Sequence, residues 1–133
     1  MDMTIDFPGG SRVNAHFGGL TVATDQPPDK AAPTPFELFL ASIGTCAGIY
    51  VLNFCRARNL PTDGLKLVEH IEKGADGHIE RITVDVQLPA GFPERYRDAV
   101  VRAADQCTVK RHLARPPEIV VVAHIGDEAT AGV

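Results

Sequence analysis

Three cysteines are the residues of this 133-residue sequence best suited to chemistry. Cys46, Cys55 and Cys107 are odd in number and form no CxxC pair, which argues against both a disulfide framework and a zinc site. Asp2 and Asp6 stand where a secretory signal needs apolar residues. So few free thiols are typical of a cytoplasmic protein, in which they are either inert core residues or redox-active groups.

A first helix is predicted to begin after Thr34. Thr34 and Glu37 have the capping-box spacing, Pro35 occupies the first helical position, and the helix should run to about Arg58. Residues 38–55 carry no formal charge, a length that touches the lower limit for a membrane span. The polar and glycine residues within this segment, and the sheet patterns that follow it, favour a buried core helix and no membrane partner.

A second helix is predicted to begin at Pro93 and to end before Pro116. It places Cys107 on its apolar face, so Cys46 and Cys107 could meet across the helix interface. Free cysteines are also common small core residues, so a packing role stays open for both. Cys55 lies half a turn out of phase with Cys46 and about 13 Å along the axis, which excludes a disulfide between them and favours a core role. The apolar face consists of Tyr96, Val100, Ala103 and Cys107.

Six segments have the alternation and residue types of β-strands. The order βββ-α-ββ-α-β predicts a single α+β domain over residues 1–133. Glycine pairs separate the first three segments, which favours an antiparallel meander, and Ala75-Asp76-Gly77 is typical of a hairpin turn. The predicted strands are Met3–Phe7, Arg12–Phe17, Leu20–Thr24, Leu65–Glu72, His78–Leu88 and Glu118–Ile125.

The charge pattern excludes several classes of function. With 13 basic and 17 acidic residues the net charge is −4, which argues against a nucleic-acid partner. The five histidines are scattered without metal-ligand spacing, so no metal is expected. The densest basic cluster lies near the predicted end of the second helix, where cations favour the helix dipole. It comprises Lys110, Arg111, His112 and Arg115.

Two motifs resemble those of a known family. Residues 35–46, PFELFLASIGTC, resemble the P-x-E-L-x-L-A-x-x-G-x-C signature of the OsmC/Ohr family, the osmotically inducible and organic hydroperoxide resistance proteins. Residues 107–113, CTVKRHL, resemble its second motif, C-x-V-x-x-x-L. The motifs occur in the family's order with the predicted hairpin between them, and the resemblance extends over residues 20–122.

The resemblance implies an intertwined homodimer in which two long central helices are wrapped by antiparallel sheets from both chains. It also implies cofactor-free, thiol-dependent reduction of organic hydroperoxides. Cys46 would attack the peroxide as a thiolate and become a sulfenic acid. Cys107 would condense with it to a disulfide, which a dithiol reductant would reopen.

Activation of Cys46 is expected to need a cation, because the residue lies about three turns into its helix, beyond the reach of the dipole. The resemblance implies an arginine from the N-terminal region, and Arg12 is the only arginine before Arg56. The peroxidases of the family pair this arginine with a glutamate at the position of Phe36, whereas Glu37 lies one residue later and is predicted to be the capping partner of the helix.

Three functions therefore remain open at the level of sequence. The first is a thiol peroxidase for apolar hydroperoxides. The second, favoured by Phe36, is a non-catalytic redox-sensing or apolar-ligand-binding dimer. The third is a structural protein whose cysteines only fill the helix packing.

Overall fold

Residues 1–126 are described by the computed structural model, and this part of the chain contains two antiparallel sheets and three α-helices. The α+β architecture confirms the predicted fold class. A 3₁₀ turn at Glu94–Tyr96 leads into the second helix. The strands are β1 Thr4–Gly9, β2 Arg12–Phe17, β3 Leu20–Thr24, β4 Lys66–Lys73 and β5 Ile79–Gln87, and the helices are α1 Pro35–Ala57, α2 Arg97–Asp105 and α3 Thr108–Ala114.

The first three strands form the predicted meander, in the order β1-β2-β3. β2 and β3 are joined by Gly18 and Gly19, whose φ angles of 53° and 77° lie in the left-handed region that a two-residue hairpin turn requires. The His16 ring on β2 bonds to Asp6 of β1 at 3.0 Å and to Thr21 of β3 at 2.9 Å. Through these two hydrogen bonds, one side chain on the central strand links all three strands of the meander.

The start of α1 is held by the capping box that the sequence predicts. The Thr34 hydroxyl accepts a hydrogen bond from the Glu37 backbone N–H at 3.1 Å, and the Glu37 carboxylate accepts one from the Thr34 N–H at 2.9 Å. Lys30 also donates to this carboxylate at 2.6 Å. Together the bonds from Lys30 and Thr34 lower the pKa of Glu37 to about 2. Glu37 is thus a structural residue at the helix start.

α1 is also the most apolar element of the fold. By length and composition alone it could cross a membrane, with a mean hydropathy of 1.8 over its most apolar window and only 17% of that window buried within the chain. Its buried residues are Ala47, Val51 and Cys55, which lie on one side as in a core helix. The absence of a membrane partner stays a prediction.

The core lies between α1, α2 and the hairpin formed by β4 and β5. Val51 and Cys55 of α1 and Val100 of α2 are fully buried. This confirms the interpretation of Cys55 as a core residue, and burial raises the pKa of its thiol. Packed around these three are Phe54, Leu60, Leu65, Val86, Leu88, Phe92 and Ala104.

The second helix differs from the prediction because it is broken into α2 and α3. The break falls at Gln106 and Cys107, where Cys107 takes an extended backbone conformation with ψ at 144°. Its sulfur accepts a hydrogen bond from the Lys110 N–H at 3.3 Å and so caps α3. Within residues 1–126 the chain therefore has one long helix, α1, and two short ones, α2 and α3.

The predicted last strand, Glu118–Ile125, is also not observed: residues 116–125 form no strand within the chain. A strand requires a partner edge for its backbone hydrogen bonds, and no edge within residues 1–126 is paired with this segment. Its apolar side chains are consequently exposed, Val121 by 90% and Ile125 by 82%. The described part of the chain ends at residue 126, so the tail predicted from Gly126 onwards lies almost entirely outside it.

Candidate redox site

The structure brings together the two cysteines that the sequence analysis paired. Cys46 is half-buried on α1, and Cys107 is 2% exposed between α2 and α3. Both are free thiols, and they are neighbours in the structure. Cys46 is the more accessible of the two thiols in the single chain.

The environment of Cys107 favours the protonated thiol. Burial raises its pKa, the backbone N–H of Lys110 opposes that rise, and the neighbouring Cys46 adds to it. The Lys110 ammonium is engaged in an ion pair with Asp105. Cys107 is therefore poorly suited to make the first attack on an oxidant and better suited to supply a thiol afterwards.

A polar cluster joins the two cysteine-bearing elements beside the thiols. The Tyr50 hydroxyl lies 2.8 Å from the Thr108 hydroxyl, and the Arg111 guanidinium donates to both oxygens at 3.3 Å. Tyr50 is one helical turn after Cys46 on α1, and Thr108 directly follows Cys107. The predicted location of the basic cluster is confirmed for Arg111 and His112, which lie in the last turn of α3.

A groove of about 1110 Å³ opens beside the thiol pair. Cys107 lines it, as do Ile43 and Ala47, which flank Cys46 on α1. Most of its remaining surface is apolar and comes from β5 and α2, with charged side chains of both signs among the lining residues. An apolar molecule with a polar group fits this lining. The charged residues are Arg81, Asp85, Arg97, Asp105 and Lys110.

Arg12 lies elsewhere in the single chain. It opens β2, and its charge acts on the carboxyl of Asp25, whose pKa is lowered mainly by the backbone N–H groups of Ala31 and Gln26 and to a smaller degree by Arg12. Arg12 and Asp25 line a separate cleft of about 390 Å³. Within one chain, therefore, Arg12 and the thiol pair line different cavities.

The position of the family glutamate is occupied by an exposed aromatic residue. Phe36 is 55% exposed and stacks on Phe39 with ring centroids 5.7 Å apart. Glu37 is held by its capping bonds to Thr34 and Lys30. Neither residue offers Cys46 the carboxylate that the peroxidase pattern contains.

One carboxylate close to α1 was not predicted from the sequence. Glu69 of β4 shares a sheet face with Leu67, and its cross-strand partner is Val84. Its carboxylate fills the space that a Cβ at Gly44 would take, two residues before Cys46. The strand pattern contains a signal for it, because Glu69 interrupts the apolar alternation of Leu67 and Ile71. Tyr50 and Arg111 gave no such signal, because their contact joins residues 61 positions apart.

Comparison of the sequence with known proteins places the chain in a family. A sequence profile described as OsmC-like protein matches residues 27–122. That match covers most of the chain and both cysteine motifs, and the chain therefore belongs to the OsmC-like protein family. A search of the curated proteins finds no match.

Solved structures share the fold at low sequence identity. A protein of Psychrobacter arcticus 273-4 named for an osmotic stress induced and detoxification response is 16% identical, with a TM-score of 0.69 over 82% of this chain and 85% of its own. An OsmC-like protein of Mycoplasma pneumoniae is 14% identical, with a TM-score of 0.69 over 85% and 86%. An OsmC-like protein of unknown function from Vibrio cholerae is 12% identical, with a TM-score of 0.57 over 83% and 90%.

Proposed function

We propose that this protein is a cysteine-based peroxidase that reduces organic hydroperoxides. The observation that carries the proposal is the proximity of Cys46 to Cys107, together with an apolar groove that Cys107 and two neighbours of Cys46 line. Two neighbouring thiols can close a disulfide after a small adjustment, whereas two cysteines that only fill a core have no need of an adjacent binding surface. The partly exposed Cys46 is assigned the attack, and the buried Cys107 the closure.

The reaction consists of two thiol steps and one regeneration. The Cys46 thiolate attacks the outer peroxide oxygen, the O–O bond breaks, and the alkoxide leaves as the alcohol after taking a proton, so Cys46 becomes a sulfenic acid. The Cys107 sulfur then attacks the Cys46 sulfur, and the sulfenic oxygen leaves as water. A dithiol reductant reduces the disulfide and returns both cysteines to thiols.

A second candidate is a redox sensor or apolar-ligand-binding protein without turnover. Two observations favour it: Phe36 stands at the position of the family glutamate, and Arg12 lines a different cavity from the thiols within one chain. Without a cation beside Cys46 the thiolate population would be small and the attack slow. The sensor would form the same disulfide, but at a low rate.

Turnover distinguishes the two candidates. Reduced protein mixed with excess cumene hydroperoxide and dithiothreitol should consume many equivalents of hydroperoxide if the protein is a peroxidase. Consumption can be followed by quenching samples and measuring residual hydroperoxide, with protein alkylated at all thiols as the matched control. Consumption no faster than that of the alkylated control would support the sensor.

We further propose that the protein functions as a homodimer. Apolar side chains on α1 and in the C-terminal segment are exposed in the single chain, and within residues 1–126 both β4 and β5 have one unpaired edge. A second copy would cover these surfaces, and the segment 118–125 could then pair as the strand that its sequence pattern predicts. Sedimentation of the purified protein should give twice the 14.3 kDa chain mass, and a single-chain mass at micromolar concentration would contradict the dimer.

Arg12 is proposed as the cation beside Cys46 in this dimer, supplied by the meander of one chain or of its partner. Replacing Arg12 with Ala should lower the rate of iodoacetamide alkylation of Cys46 at pH 7 by roughly tenfold. Loss of a nearby positive charge generally shifts the pKa of an acidic group by about one unit or more, and each unit changes the population of the anion about tenfold. Arg102→Ala, an exposed α2 variant, is the matched control. An alkylation rate in Arg12→Ala equal to that of the control would exclude the role.

A further inference from the structure

The buried thiol lies on a short and exposed element. Cys107 occupies the break between α2 and α3, and α3 is only seven residues long with no buried residue. A helix of this length has little stability of its own, so contacts with the rest of the chain must hold it. Cys107, the N-cap of α3, is buried, whereas the seven residues of the helix are not.

The polar cluster of Tyr50, Thr108 and Arg111 is the contact that ties α3 to α1. The Tyr50 hydroxyl meets the Thr108 hydroxyl at 2.8 Å, and Arg111 donates to each at 3.3 Å, so one guanidinium bridges both helices. Because Tyr50 lies one turn beyond Cys46 and Thr108 follows Cys107, these hydrogen bonds span the same two elements as the thiols. A change in the cluster therefore changes the separation of the two sulfur atoms directly.

We propose that Tyr50, Thr108 and Arg111 form a polar clamp that positions Cys107 for disulfide closure. The inference rests on the proposed function and adds three positioning residues to it. The clamp acts on the second step alone: attack on the hydroperoxide does not involve the Cys107 sulfur, whereas closure needs the Cys107 sulfur aligned with the Cys46 sulfur. None of the three side chains reacts.

The clamp decides between two fates of the sulfenic acid. In the first fate, the Cys107 sulfur displaces the sulfenic oxygen as water and forms the disulfide. In the second, the sulfenic acid reduces another hydroperoxide to its alcohol and is itself oxidised to a sulfinic acid, which a dithiol does not reverse. A loosened α3 slows the first and leaves the second unchanged, so loss of the clamp should raise overoxidation.

The test uses Tyr50→Phe, which removes one oxygen atom and keeps the aromatic ring. Tyr96→Phe is the matched control, since Tyr96 is the other of the two tyrosines and packs edge-on against Phe54 at 6.1 Å. Each reduced protein is mixed with one equivalent of cumene hydroperoxide and quenched at intervals with dimedone and an alkylating agent. Peptide mass spectrometry then gives the amounts of thiol, sulfenic acid and disulfide at Cys46.

Tyr50→Phe should lose free Cys46 thiol at the wild-type rate but form the disulfide roughly three- to tenfold more slowly, the range expected for one lost hydrogen bond. Dimedone-trapped Cys46 should increase accordingly, and Arg111→Gln should give the same pattern. Disulfide closure at the wild-type rate in both variants would overturn the clamp. Slower loss of the Cys46 thiol would also overturn it, because the cluster would then act on the attack.

The clamp can be tested apart from peroxidase activity. In a buffer of reduced and oxidised glutathione, the fraction of Cys46–Cys107 disulfide at equilibrium measures how closely the fold holds the two thiols. Tyr50→Phe should need a roughly three- to tenfold higher ratio of oxidised to reduced glutathione to reach half oxidation. If wild-type protein formed no sulfenic acid with hydroperoxide, the proposed function would fail, and an unshifted glutathione midpoint would separately overturn the clamp.

Discussion

Replacement of Cys46 with Ser should abolish hydroperoxide consumption. The serine hydroxyl keeps the size and position of the side chain but is not ionised near neutral pH, and only the thiolate attacks the peroxide oxygen at a useful rate. Cys107 cannot substitute, because it is 2% exposed and burial raises its pKa. The rate of cumene hydroperoxide loss in the presence of dithiothreitol should fall to that of buffer with dithiothreitol alone.

Cys55→Ala is the matched control for this variant. Cys55 is fully buried in the core and takes no part in the thiol pair, so its replacement should preserve consumption while costing some stability. Circular dichroism of both variants establishes that they fold. Consumption that survives in Cys46→Ser would rule out Cys46 as the attacking residue.

Replacement of Cys107 with Ser should permit one oxidation of Cys46 and then prevent formation of the intramolecular disulfide. Cys46 would still reach the sulfenic acid, but no neighbouring thiol would displace the oxygen. Intact-protein mass spectrometry should then find one added oxygen atom per chain after one equivalent of hydroperoxide, and two or three with excess. In wild-type protein the same treatment should yield the disulfide and no added oxygen.

The behaviour of Cys107→Ser also distinguishes a resolving thiol from a packing residue. The Cys107 sulfur also caps α3 by accepting a hydrogen bond from the Lys110 N–H. A serine hydroxyl can accept the same bond, so Cys107→Ser removes the thiol and keeps the cap. Cys107→Ala, which removes the cap, should give the same added oxygen as Cys107→Ser. A wild-type pattern of oxidation products in either variant would exclude Cys107 from the reaction.

The elements that the sequence predicts correctly are those determined by neighbours along the chain. The capping box of Thr34 and Glu37, the glycine pair at 18 and 19, and the hairpin turn near Gly77 are local signals. Their outcome depends on backbone geometry and short-range hydrogen bonds, so the helix and strand boundaries agree with the structure within about one or two residues.

Two features are mispredicted, for different reasons. The apolar spacing from Tyr96 to Cys107 fits one continuous helix, yet the backbone becomes extended at Cys107, whose sulfur caps a new helix, α3. The segment 118–125 has the composition of a strand, but composition cannot provide the edge that a strand must pair with.

In the candidate site, too, some residues could be predicted from the sequence and others could not. The pairing of Cys46 with Cys107 was accessible from the sequence because each lies on an apolar helix face and on a recognisable motif. The clamp residues Tyr50 and Arg111 and the carboxylate of Glu69 were not, since their partners lie on other elements. Arg12 was predicted to activate Cys46 because it is the only arginine before Arg56, and that criterion says nothing about the distance between the two residues.

A single oxidation experiment decides whether hydroperoxide drives Cys46 and Cys107 into a disulfide. Reduced protein is mixed for seconds with one equivalent of cumene hydroperoxide, quenched by alkylation and mapped by peptide mass spectrometry. A Cys46–Cys107 disulfide should form on that timescale, with Cys55 still free. Recovery of both Cys46 and Cys107 as alkylated thiols would contradict the proposed attack by Cys46.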